Sequence, residues 1–380
     1  MFFELLYQVA DPVLWTAAGL LTVSLVIELI YYLGIYTRTA FYRDPGTRRK
    51  KIPVSVVICA RNEALNLEKN LPLFLQQEYP EYEVVVVNDC STDHTEDVLM
   101  NLRQQYPHLR YTTIQPDKKF THGKKLAVTV GIKAAKHEHL LFSDADCYPV
   151  SKKWISKMTR HFDKEKALVL GIGKYERRRG LLNLVVRYET LYTAMQYSSL
   201  ALGKHAYMGV GRNMAYRKEL FYRHKGFASH LHVLSGDDDL FVNEATTPSN
   251  TAVELSRDGF TVSSPPTSFN DWFRQKKRHL STGKYYRTAS KFRLGTEYFS
   301  RMLFYASAIL MMFRDHWIWI GLGAWALLAV VRLIIIKMVM KRLEEKDLLL
   351  PSLILDPLLP LYLAIVRMAN IIRPRKPQWN

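Results

Sequence analysis

One stretch limits every fold open to this chain. Residues 13–36 form an almost unbroken apolar run of 24 residues, with Glu28 its only charged group. A helix needs about 20 such residues to cross the hydrocarbon core of a bilayer. The segment before it carries Glu4 and Asp11 but no Lys or Arg, and the run exceeds a signal-peptide core. It therefore reads as an uncleaved transmembrane anchor over residues 1–37. A basic juxtamembrane linker over 38–52 follows, with Arg38, Arg43, Arg48, Arg49, Lys50 and Lys51 against Asp44 alone. The positive-inside rule places what comes next in the cytosol. Glu28 is costly inside a span and is expected to face another helix.

The C-terminal third repeats the theme. Residues 298–313 and 317–339 are apolar and are separated by Arg314, Asp315 and His316. They read as an antiparallel transmembrane pair over 298–340. Residues 348–368 are apolar too, but hold Pro351, Pro357 and Pro360 around Asp356. Prolines at that density break a helix. We therefore read 348–369 as a re-entrant hairpin, with a further transmembrane helix as the alternative, and 370–380 as a basic tail.

The charge balance, 53 Lys and Arg against 35 Asp and Glu for a net +18, raises the question of nucleic acid. The basic clusters sit beside apolar segments, where anionic lipid lies. No basic motif with interleaved aromatics is present, so a nucleic-acid partner is not expected. Three Cys among 380 residues exclude a disulfide scaffold.

The middle of the chain alternates between two periods. β-branched or apolar runs at 54–59, 83–87 and 140–142 read as buried strands. Between them, Leu67, Leu71, Phe74 and Leu75, then Val98, Leu99 and Leu102, then Leu126, Val130 and Ile132, have helical spacing. Alternating strands and helices imply an α/β fold with a doubly wound, mostly parallel sheet. Ligands bind such sheets at the carboxyl ends of the strands. The three strands end in Arg61-Asn62-Glu63, in Asn88-Asp89, and in Asp144-Ala145-Asp146, so acids and amides converge on one crevice. Carboxylates at alternate positions near a bend can hold one hard cation, Mg²⁺ or Mn²⁺, and through it a nucleotide diphosphate. Gly123-Lys124 opens a helix and adds a cation for phosphate.

Residues 53 to about 287 resemble a membrane-associated, bacterial-type family 2 glycosyltransferase of the GT-A, Rossmann-like fold. The motifs are Ala60-Arg61-Asn62-Glu63, residues 88–93, Gly123-Lys124, the Asp-x-Asp of Asp144 and Asp146, Gly236-Asp237-Asp238, and residues 275–279. The stretch 211–217 resembles the family's glycine-Asn-aromatic segment. The resemblance implies a cytosolic GT-A domain over 53–297. Ala60, Arg61, Asn62 and Glu63 would contact the nucleoside, Asp89 the base, Lys124 the diphosphate and Asp144 the ribose or sugar. Asp146 would ligate the metal, Asp238 would be the general base, and Asp237, Gln275, Arg278 and His279 would face the acceptor and diphosphate. Three departures stand out: Asn88 where Asp is usual, Asp237 where Glu is frequent, and His279 in place of a Trp. That Trp helps processive members hold a growing chain, so its loss points towards single transfers.

The expected activity is therefore inverting, metal-dependent transfer from a nucleotide-sugar, UDP-linked by preference, to a lipid or lipid-linked acceptor. A base such as Asp238 suits a hydroxyl acceptor, since a phosphate is already ionised, and its acidic neighbours raise its pKa. The expected setting is the inner, cytoplasmic membrane of a bacterium. A processive polysaccharide synthase is the rival reading, and a catalytically inactive nucleotide-binding scaffold is a rival of another class. Residues 181–206, a long apolar stretch behind Arg177, Arg178 and Arg179, read either as an interfacial helix roofing the acceptor site or as an ordinary core helix.

Overall fold

The computed structural model describes residues 12–44, 46, 51–116, 123–233, 235–314 and 317–372. Residues 1–11 of the expected anchor, Arg48, Arg49 and Lys50 of the linker, and 373–380 of the basic tail lie outside them. The helices in chain order are α1 (Pro12–Ala40), α2 (Ala64–Leu75), α3 (Thr95–Gln105), α4 (Lys124–Ala134), α5 (Trp154–Thr159), α6 (Leu181–Leu202), α7 (Lys218–Arg223), α8 (Asp239–Ala245), α9 (Phe269–Leu280), α10 (Thr288–Met312), α11 (Ile318–Arg342) and α12 (Leu349–Ile372). The strands are β1 (Val54–Ala60), β2 (Tyr82–Asp89), β3 (Leu109–Ile114), β4 (His139–Asp144), β5 (Cys147–Pro149), β6 (Leu168–Leu170), β7 (Gly173–Tyr175), β8 (Met214–Arg217), β9 (Thr251–Val253) and β10 (Thr261–Ser263).

The valine-rich β1 and β2 are buried on both faces, as parallel strands under helical layers must be. They sit in a seven-stranded sheet of order β3-β2-β1-β4-β8-β6-β9. The first four strands are parallel; β8 runs antiparallel to both β4 and β6. Strands β5, β10 and β7 make a second, small sheet. Register sets the site: Ala60 lies opposite Asn88, and Cys59 opposite Asp144, so three strand ends finish at one level.

Three helices, α1, α11 and α12, are long and apolar enough to cross a membrane. Helix α10 starts at Thr288, inside the range expected for the catalytic domain, and is not one of the three. The expected proline break in 348–369 is absent, because α12 is a single helix with Pro357 and Pro360 inside it. Pro351 falls in the first turn, where no backbone N–H is needed. An apolar surrounding favours keeping every remaining helical hydrogen bond over exposing the backbone. Helix α6 is buried along most of its length, including Tyr188, Tyr197 and Leu200, so it packs as a core helix. Its polar residues are used internally: Asn183 accepts from the Arg178 N–H at 2.8 Å, and Arg187 pairs with Glu345.

Glu28 meets Arg332 at 2.6 Å, and Arg332 reaches Asp356 at 2.5 Å. Arg301 lies 3.4 Å from Asp356 and pairs with Glu297. These fully buried charges tie α1, α10, α11 and α12 together. Removing one partner of such a network costs about 3–5 kcal/mol, because the other is left buried and unpaired. Arg332→Leu is therefore expected to lower the melting temperature of the detergent-solubilised protein sharply, and Arg332→Leu with Asp356→Leu to recover part of the loss. An unchanged melting temperature for the single variant would show that the network is not a fastening.

Candidate active site

Two strand-end loops meet at the carboxyl edge of the sheet. Asn62 adopts the left-handed region at φ 55°, which Asn tolerates better than most residues. Its side chain accepts from the Thr92 N–H at 2.8 Å, and its own N–H donates to Ser91 Oγ at 2.9 Å. Asp93 accepts from the N–H groups of Ala64 (3.1 Å) and Thr95 (3.0 Å). Asn62 and Asp93 thus lock the loops after β1 and β2 to each other, a shaping role that motif reading alone did not reveal. Glu63 sits beside them, and burial followed by the nearby Asp146 and Asp144 charges raises its carboxyl pKa. Asp89 is fully buried at the end of β2.

The Asp-x-Asp bend lies next to these loops. Ligand atoms of Asp144, Asp146 and Cys147 fall within 4.8 Å of one another. Lys124, at the start of α4, donates to Asp144 at 2.8 Å and lies 3.3 Å from Asp237. Burial opposes ionisation of Asp144, but the Lys124 ammonium outweighs it and holds the carboxyl below its usual range. Asp146 is pushed up, first by burial and then by Asp144. Asp146 has no cation in salt-bridge range among the described residues. Two carboxylates with one uncompensated charge fit a hard divalent ion. The Cys147 thiol, kept protonated by burial, is a poor ligand for such an ion.

Three consecutive acids diverge at the start of α8. Gly236, at φ 96°, turns the chain into them. Asp237 is buried and faces Lys124. Asp239 is buried and accepts from Tyr286 at 2.7 Å and from Thr282. Asp238 caps α8, accepting from the N–H groups of Asp239 at 2.7 Å and Gly211 at 2.8 Å. A side chain at residue 211 would press on this pair: a Cβ there would stand 3.2 Å from Lys124 Nζ and 3.3 Å from Asp238 Oδ2. Burial, then the charges of Asp237 and Asp239, push the Asp238 carboxyl up to about 7 against the pull of Lys124. A carboxylate poised there can take a proton at neutral pH.

Asp238 opens into a cleft of about 1580 Å³. Its lining includes Asp146, then Gln275, Arg278 and His279 of α9, and residues of α10 and α12. Gln275 donates to the Tyr175 hydroxyl at 2.9 Å, and Arg212 stacks over the same ring at 4.5 Å. Tyr175 was missed by sequence reasoning, since nothing in its three-residue strand sets it apart. The α9 helix is clamped to α12. Trp272 and Tyr362 stack with centroids 4.2 Å apart and planes 2° from parallel, Lys277 donates to the Ala369 carbonyl at 3.0 Å, and Asn370 donates to the Lys277 carbonyl at 2.9 Å. The structure thus gathers Asp146, Asp238, Gln275, Arg278 and His279 along one cleft. Ala60, Arg61, Asn62, Glu63 and Asp89 cluster at the strand ends beside Asp144, outside its lining.

A mostly parallel α/β sheet with acids at its carboxyl edge and apolar helices at both ends is the arrangement of a GT-A-type fold with membrane-length helices. Residues 55–224 match the profile described as glycosyl transferase family 2. The chain is 28% identical over 125 residues to a poly-β-1,6-N-acetyl-D-glucosamine synthase of Staphylococcus epidermidis, covering 32% of this chain and 29% of the synthase. It is 26% identical over 184 residues to a β-monoglucosyldiacylglycerol synthase of Nostoc sp., covering 47% of this chain and 37% of that protein. The matches thus span well under half the length of these relatives. A mannosyltransferase of Pyrobaculum calidifontis, solved with GDP-Man and Mn²⁺, superposes with a TM-score of 0.59 at 18% identity, over 93% of this chain and 97% of that one. Residues 55–224 thus carry the sequence features of glycosyl transferase family 2, within a chain that has the fold of the Pyrobaculum protein.

Proposed function

We propose that the protein transfers one sugar at a time, with inversion, from a nucleotide-sugar to a hydroxyl of a lipid or lipid-linked acceptor at the cytosolic membrane face. The observation that carries this reading is the continuous cleft. It joins Asp146 and Asp238 to Leu359 and Leu363 of an apolar helix, so a lipid's polar end could reach the reacting carbon without leaving the bilayer. The acceptor hydroxyl oxygen attacks the anomeric carbon from the face opposite the diphosphate. The bond from that carbon to the phosphate oxygen breaks, and Asp238 takes the hydroxyl proton. Asp146 and Asp144 would hold a divalent cation, Mg²⁺ or Mn²⁺, which when bound offsets charge on the departing diphosphate. Lys124, Gln275 and Arg278 add cationic and hydrogen-bonding groups nearby. UDP-sugars are the first donors to try, and GDP-mannose the second, given the ligand of the Pyrobaculum protein.

The similarity to a polymer synthase keeps processive synthesis as a second reading. The test is a donor panel on purified protein in detergent, with Mn²⁺ or chelator and with or without membrane lipid extract. Nucleotide release from one donor, abolished by chelator and stimulated by lipid, is expected. Product mass then decides between one added sugar and many. Release from no donor, despite nucleotide binding, would favour the inactive scaffold.

A further inference from the structure

Helix α8 does more than carry Asp238 at its cap. Its first residue, Asp239, accepts from the Tyr286 hydroxyl at 2.7 Å and from the Thr282 hydroxyl. One turn on, Asn243 accepts from the Arg287 N–H at 2.8 Å. The Asn243 amide also donates to Ser290 Oγ at 3.2 Å and to the Tyr207 carbonyl at 2.9 Å. Residues four apart share one face of a helix. That face therefore grips residues 282–290, which leave α9 and begin α10. Arg287 ties the same stretch to the far end of α8, donating to the Thr246 carbonyl at 3.0 Å and to that of Glu244. Asp239, Asn243, Thr282 and Ser290 are all buried, so no water replaces a partner that is lost.

The grip joins two parts of the site. Asp238 stands immediately before Asp239, and its carboxylate lines the cleft. Gln275 and Arg278 lie near the end of α9, just ahead of the gripped stretch, and line the same cleft. Gly283, Lys284 and Tyr286 of the link between them line it too. Asp239 has both oxygens engaged, Oδ1 by the Leu240 N–H at 2.8 Å and Oδ2 by the two hydroxyls.

We infer that Asp239 and Asn243 are positioning residues for sugar transfer: by holding residues 282–290 on α8, they fix Asp238 relative to Gln275 and Arg278. Neither is asked to touch substrate. The base must meet the acceptor hydroxyl while other groups hold the donor, and a misplacement of about 1 Å can cost about 10²-fold in rate. This inference rests on Asp238 as the base and adds what keeps that base in place.

The test is a set of double-mutant cycles on full-length protein in detergent. Nucleotide release from the active donor with membrane lipid extract gives kcat and donor KM. Asn243→Ala and Asp239→Ala should each lower kcat by about 10²-fold and leave donor KM unchanged. Asp239→Asn, which keeps an oxygen for one of the two hydroxyls, should recover most of the loss. Tyr286→Phe removes one hydroxyl and keeps the ring against Tyr207, so it should fold and still lower kcat. Placed on Asp238→Asn, none of these changes should cause a further loss, because residues that act as a unit are not additive. Losses that add to that of Asp238→Asn, a rise in donor KM with kcat unchanged, or wild-type kcat in Tyr286→Phe and Asn243→Ala would each overturn the positioning role and leave Asp238 as the base. Wild-type transfer by Asp238→Asn, or no release from any donor, would overturn the base assignment and this inference with it.

Discussion

Asp238→Asn is expected to slow sugar transfer by about 10²–10⁴-fold while nucleotide-sugar binding stays near the wild-type value. The substitution keeps size and shape, and the one remaining side-chain oxygen can still cap Asp239 N–H, because Asn ranks with Asp at that position, while the Gly211 N–H gives up its acceptor. It removes the one property proposed for Asp238, the ability to accept the acceptor's proton. A pH profile gives a second, independent reading. With the Asp238 carboxyl near 7, the base is lost as pH falls, so transfer should drop about tenfold per pH unit below neutrality. The Asn variant should show no such limb. Wild-type transfer by Asp238→Asn would place the base elsewhere, and Asp237 and Asp239 are poor substitutes: the first faces Lys124 and the second is bound by Thr282 and Tyr286.

Asp146→Ala is the second large effect. Of the two bend acids, Asp144 already has a counter-ion in Lys124 at 2.8 Å, so Asp146 supplies the uncompensated charge that would draw in a cation. Its removal should lower metal-dependent nucleotide binding and transfer by roughly 10²-fold or more. Calorimetry with nucleotide in Mn²⁺ and in chelator separates the two contributions. The variant should bind equally weakly in both, at the level of the wild type in chelator. If Mn²⁺ strengthened binding in the variant as much as in the wild type, Asp146 would not be the ligand.

Much of the architecture was legible in advance because it follows from periodicity and local chemistry. Valine runs in β1 and β2 have few alternatives to buried strands, and Asp144-Ala145-Asp146 directly after such a run had to stand at a strand end. The apolar length of residues 13–36 is likewise a local property. The prolines of α12 misled for a physical reason. Proline's cost is judged against water, and in an apolar surrounding an open backbone costs more than one missing hydrogen bond. Helix α6 was ambiguous because its apolar residues circle it, and whether such a helix is buried or interfacial depends on what covers it.

What the chain determines by itself is the inventory: membrane-length helices, an α/β domain, and acids at the strand ends. The tertiary structure decides which acid can do what. Asp237, Asp238 and Asp239 are the same residue three times; only the resemblance to a family motif singled out Asp238, and nothing in their local chemistry separates them. Folding places Lys124 against the first and Thr282 and Tyr286 against the third. The second lines the cleft with its carboxylate held by two backbone N–H groups. Proton affinity depends on burial and neighbouring charge, which are set by contacts far apart in the chain.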